Sequence, residues 1–233
     1  MIIRVRPGTQ GGVLECIRQH DHAAVSAALA GSWRLGGTPD DEVCFAVRHH
    51  DVAWVGLDHR ALLGPDGMPY SFLDHPLAAR YRALIVGVDL VEQGSAYAAL
   101  LCSRHYARFS ALLDDDRSRA HLAHERARQE RLWPQLTAAQ QARAGADLAL
   151  VQLLDALALF VCCNEPGTVT WPFHRDGFRF GDTVLHARWD GPGRVRLDPD
   201  PLAGPVTCTY PAYRWDRDGV LVDRVDHVVT FGG

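Results

Sequence analysis

Residues 148–163 read LALVQLLDALALFVCC. Apolar side chains fall on every side of this stretch at helical spacing, the pattern of a helix buried inside a fold rather than lying on its surface. The run is short for a membrane span and carries Gln152 and Asp155, so a core helix is expected, extending back to about residue 138. Asp155 is the anomaly in it. An unpaired carboxylate at the centre of an apolar helix costs several kcal/mol or protonates instead, so it needs a metal, a cation or good hydrogen bonds. At this point a metal ion and an Arg from a neighbouring helix are equally good partners.

Working outward, the spacing predicts helices over much of the preceding chain. Residues 13–33 (VLECIRQHDHAAVSAALAGSW) follow a helical period closed near Gly31. Thr38 as N-cap and Pro39 at the first helical position open a second helix running to about His59. Asp74 and Pro76 begin a third over 75–92, Gly94-Ser95 breaks it, and AYAALLCSRHYARFSALL forms a fourth. A charged helix over 117–133 stops at Pro134. After Pro166-Gly167 the texture becomes short runs between Gly and Pro, with Asp190-Gly191-Pro192-Gly193 as a hairpin loop. The expected fold is therefore mainly α: an N-terminal strand (1–12), a core of about six helices (13–165), and a small antiparallel β region (166–233) packed on that core.

Composition removes several classes of function. The chain has 233 residues, a net charge of −4, and 24 basic residues, every one an Arg. Without Lys there is no Schiff-base, pyridoxal-phosphate or P-loop chemistry. One Asn and four Ile suggest that codon bias explains the missing Lys. A mildly acidic chain without a basic stripe is not expected to bind a nucleic-acid polymer. No GxSxG or GxGxxG motif is present. The six Cys form no CxxC pair and are read as buried reduced thiols of a cytoplasmic protein. MIIRVRPG has none of the features of a signal peptide, and no membrane association is expected. The 12 His remain to be explained.

Several of them fall on faces expected to be internal. His22 is flanked by Ala23, Ala24 and Ala27, small residues that permit close helix approach, whereas His20 beside Arg18 is read as solvated. The second helix offers His49, His50, Asp51, Trp54 and Asp58; His50 or Asp51 shares a face with Trp54 and Asp58. In the fourth helix Tyr97, Leu101, His105, Phe109 and Leu112 make one apolar stripe, so His105 faces the core. His121 and His124 are read as lying on a wet face, His59 at a helix end, and His75 at a loop near a site mouth.

The order His22, His50-Asp51, Asp155 along successive helices resembles the HD-domain superfamily of metal-dependent phosphohydrolases. The segments QHDHAAVSAALAGSW, HHDVAW, YSFLDHP, SRHYARF and LLDALALFVCC also resemble DUF3891, a bacterial family of unknown function. Val52-Ala53 stands where that family is expected to carry an acid and a Gly, which leaves the ligand positions in place. The HD resemblance implies that His22, His50, Asp51 and Asp155 bind a divalent metal, with His105 as a further ligand to one or two ions. A mixed N/O set with open positions suits Mn, Fe, Co, Ni or Zn. The implied reaction is hydrolysis of a phosphoester by a metal-activated water. Asp58 would orient that water, and Arg104, or Arg48 or Arg108, would meet the phosphate of a small phosphorylated molecule or nucleotide. A di-iron oxygenase, needing His75 and His105 inward, and a non-catalytic metal-bearing module are the alternatives; a homodimer remains open.

Overall fold

The computed structural model describes residues 1–5, 14–65, 67–216 and 220–233. The later part of the expected N-terminal strand, residues 6–12, and Val13 at the start of the expected first helix lie outside the described residues. Seven helices carry the chain from residue 19 to residue 163: α1 (Gln19–Ser32), α2 (Asp41–His49), α3 (Trp54–His59), α4 (Leu77–Gly94), α5 (Ala96–Ser110), α6 (Asp116–Leu132) and α7 (Ala138–Cys163). Strands β1 (Ile2–Val5) and β2 (Leu14–Ile17) precede them, and β3 (Phe178–Phe180), β4 (Thr183–Trp189), β5 (Arg194–Asp198), β6 (Val206–Trp215) and β7 (Leu221–Phe231) follow.

The expectation of a mainly α fold with a small C-terminal β region is corrected. About 50% of the chain is helical and 21% lies in one seven-stranded mixed sheet, ordered β1-β2-β6-β7-β5-β4-β3. Both ends of the chain build that sheet. β2 pairs antiparallel with β6 through Leu14↔Trp215 and Cys16↔Tyr213, and β5 pairs parallel with β7. The stretch LECI, taken as the start of the first helix, is therefore a strand; its partner sits some 200 residues away in sequence, beyond the reach of local periodicity. The loop at 190–193 does join the antiparallel pair β4 and β5 as expected.

The helix α7 is the axis of the fold. Its start is fixed by a capping box, in which the Thr137 hydroxyl accepts from the Gln140 amide and the Gln140 side chain accepts from the Thr137 amide. It is long and apolar enough to cross a membrane, but most of that apolar stretch is buried among α1, α2, α5, β1 and β3. Leu150, Leu154, Leu157, Phe160 and Val161 belong to one hydrophobic core that continues into Tyr210, Val229 and Phe231 of the sheet. Polar ties fix sheet to helix: the Tyr210 hydroxyl donates to the Val161 carbonyl at 3.0 Å, and Arg4 donates to the Asn164 carbonyl at 2.9 Å.

The helix α6 departs from its expected wet face at His121, whereas His124 is exposed as expected. His121 is buried, hydrogen-bonded to Ser110 at 2.7 Å and stacked on Tyr81, and Glu125 is fully buried beside Arg128. Charged composition therefore hid an internal polar cluster.

Candidate metal centre

Three connections bring one set of side chains together beneath the sheet. α1 delivers His22, the turn between α2 and α3 delivers His50 and Asp51, and the middle of α7 delivers Asp155. All four are buried, and one ligand-type atom from each lies within 4.8 Å of the others.

The expected single helix through 39–59 is broken after His49. Residues 50–53 form a turn held by contacts of the i→i+3 kind, Val52 to His49 and Trp54 to Asp51. On a continuous helix neighbouring side chains diverge by about 100°. The break lets His50 and Asp51 reach the same site. α4 packs closely on that turn at Gly87, where an added Cβ would lie 2.5 Å from the Ala53 Cβ and 2.6 Å from its Cα. Gly87→Ala should therefore push the turn out of place. About 1 kcal/mol of helix propensity is gained, but overpacking against backbone costs about 1–3 kcal/mol. We expect a lower melting temperature together with weaker metal uptake; a variant that melts higher and binds metal normally would contradict this close packing.

The two imidazoles are held in one tautomer. His22 Nδ1 lies 2.8 Å from the Gln19 carbonyl, and His50 Nδ1 lies 2.6 Å from the Val47 carbonyl. A carbonyl oxygen only accepts, so both Nδ1 atoms carry hydrogen; His22 Nδ1 also lies 3.2 Å from Asp51 Oδ2, while both Nε2 atoms face Asp155. His22 Nε2 lies 3.0 Å from Asp155 Oδ1, while His50 Nε2 sits 3.5 Å from Asp155 Oδ1 and 3.6 Å from Asp51 Oδ2. The His50 Nε2 is buried with no hydrogen-bond partner. Backbone-anchored Nδ1–H groups behind Nε2 atoms turned towards carboxylates are the supporting arrangement that metal-binding His residues have.

The electrostatics agree. Burial opposes protonation of His22, yet the hydrogen bonds and charges of Asp155 and Asp51 outweigh it and bring the imidazole up to about 10. Burial likewise opposes charge on His50, but Asp51 and Asp155 raise it. In return, and against the burial that would raise them, the imidazoles hold Asp51 low and Asp155 well below the usual carboxylate range. Two buried carboxylates facing two imidazole nitrogens form a pocket of negative charge that a divalent cation would neutralise. The donor set fits such an ion.

The other expected site residues are placed differently. His105 stands one step out, its Nε2 3.8 Å from Asp155 Oδ2 and its ring 5.4 Å from that of His50; burial pushes it down to about 3, so it is neutral. Asp58, expected to orient a water, is engaged with both oxygens: Oδ1 accepts from the Met1 ammonium at 2.7 Å and Oδ2 from the Gln19 amide at 2.6 Å. It anchors the first residue of α1, whose carbonyl in turn holds His22. Arg104 lies over the Trp133 ring, 4.9 Å from its centre, on a different surface from the cluster. Arg108 instead reaches the site, donating to Asp155 Oδ2 at 3.4 Å. His75 is buried but packs on Trp54 and Tyr70. Tyr106, which no sequence signal marks, lies against Asp51; burial and that charge push its phenol well above its ordinary range.

A cavity of about 270 Å³ opens onto Asp51, His105 and Asp155. The family model described as "Protein of unknown function (DUF3891)" matches residues 1–215, so all four converging residues lie within it. No curated protein and no solved structure was found to match the chain.

Proposed function

The chain belongs to the DUF3891 family, and we propose that it is a divalent-metal-dependent phosphoester hydrolase of HD-domain type. The observation that carries this reading is the convergence of His22, His50, Asp51 and Asp155, the two carboxylates lining a cavity and both imidazoles held through Nδ1 by backbone carbonyls. A divalent ion held there lowers the pKa of a bound water and polarises a phosphoryl oxygen. The chain's own residues do the rest. Arg108, its side chain 36% exposed while tied to Asp155, offers its remaining N–H groups to phosphate oxygens. Arg80 adds a second cation from the cavity wall. Neutral His105 and the Tyr106 phenol stand beside the carboxylates, and the apolar wall excludes bulk water, which strengthens each of these contacts.

Anaerobic purification followed by metal analysis tests the reading, with wild type compared against Asp51→Ala and Asp155→Ala. We expect bound transition metal in the wild type, its loss in both variants, and phosphatase turnover that follows metal content. A wild-type protein that takes up no metal under any loading would overturn it. The di-iron alternative is less well supported, because His75 packs against Trp54 and Tyr70 instead of beside Asp155.

A further inference from the structure

The cavity above the four converging residues has a lining that speaks to the substrate. Its inner end is polar, with Asp51, His105 and Asp155. Its walls are not: Trp54, Leu84, Tyr106 and Leu159 enclose it, along with Tyr81, whose hydroxyl is already bonded to Ser118 at 2.7 Å. Gln19 is the one neutral amide among the lining residues and Arg80 the one cation. A ribose or a base placed here would lose its water and find few partners, the unpaired Gln19 Oε1, His105 Nδ1 and Tyr106 hydroxyl, which is costly for each hydroxyl or ring nitrogen left over. A polyphosphate would bring more charge than Arg80 and Arg108 can match.

The rim extends the apolar character outward. Leu73 is 63% exposed and Leu112 80% exposed, and both line the mouth together with the half-exposed Phe109 and Leu113. Single exposed apolar residues are ordinary on a protein surface, but a group of them continuous with a cavity marks a place where apolar ligand surface is covered.

Resting on the hydrolase reading for the position of the head group, we propose that the cavity takes an amphiphilic phosphomonoester. Its single phosphate sits at the polar end beside Asp155, to which Arg108 donates at 3.4 Å, and Arg80 is the cation of the cavity wall. Its alkyl or aryl body lies along the apolar wall and passes out over Leu73, Phe109 and Leu112. Nucleotides are excluded by the same lining.

Non-hydrolysable alkyl phosphonates test this without depending on turnover. Methyl, butyl and octyl phosphonate are titrated into the metal-loaded protein by calorimetry, with AMP and inorganic phosphate alongside. Affinity should rise about four-fold per methylene as each leaves water for the wall. AMP should bind no more tightly than inorganic phosphate. Leu112→Asp, at an exposed position the fold tolerates, should weaken octyl phosphonate roughly five-fold by charging the rim it crosses, while leaving methyl phosphonate and metal content unchanged. Affinity independent of chain length, or AMP binding more tightly than the octyl compound, would overturn the proposal. If chain-length dependence holds while octyl phosphate is not hydrolysed, the ligand class stands and the hydrolase reading falls.

Discussion

Asp155→Asn should strip the protein of metal, with affinity falling more than a hundred-fold in competition with a chromophoric chelator. Loss of a group that merely supports a ligand costs about 10–100-fold, and in the proposed site Asp155 is a ligand in its own right. Its Oδ1 faces both His22 Nε2 and His50 Nε2, and its Oδ2 holds Arg108. The amide keeps the shape and removes the charge, so the expected loss is electrostatic and not a cavity effect. It also presents hydrogens to whichever imidazole nitrogens it faces. The metal-free protein should suffer too. Removing one partner from a buried charged pair costs about 3–5 kcal/mol when the other stays charged; here His22 can shed its proton, so the lower end is expected. A variant that melts several degrees lower but retains wild-type metal affinity would remove Asp155 from the ligand set.

Which parts of this were legible beforehand follows from where the information lay. The bounds of α7 were local: Thr137 and Gln140 cap its start, and a sixteen-residue stretch interrupted only by Gln152 and Asp155 leaves no other placement. The burial of Asp155 followed from the same run. That His50 and Asp51 could share a site was not local, because HHDVAW contains neither Gly nor Pro and the break there depends on α4 lying across it at Gly87. Helical spacing alone separates the two Arg residues of α5: Arg108 is three residues from His105 and shares its face, whereas Arg104 is one residue away and turns towards Trp133. The sheet was the largest error. Leu14–Ile17 fits a helical period as well as a strand, and only its pairing with Tyr213–Trp215 decides between them.

That same pairing sets up the second large effect, at Glu15. Its carboxylate is fully buried between two ends of the chain, 2.8 Å from Arg4, 3.0 Å from Arg214 and 3.3 Å from His227. Arg4 is itself buried and also ties β1 to the end of α7 through the Asn164 carbonyl. Glu15→Ala leaves that guanidinium without its counter-charge, and the expected destabilisation is about 3–5 kcal/mol. Replacing both partners, as in Arg4→Met with Glu15→Leu, should restore much of the loss, because the buried guanidinium goes with its carboxylate and the part-exposed Arg214 keeps Asp223. A double variant no more stable than Glu15→Ala would show that the pair acts through something other than mutual charge. The pH dependence has a definite sign. Burial would raise the Glu15 carboxyl, but His227, Arg4 and Arg214 overcome it and hold the group well below its ordinary value of 4.5. A group depressed in the folded state stabilises the fold fully above its unfolded pKa and loses that contribution as pH falls below it. Wild-type stability should therefore decline as the solution is acidified below pH 4.5. The Glu15→Ala protein should show a shallower decline over the same window, and parallel acid-melting curves for the two proteins would count against Glu15 as its source.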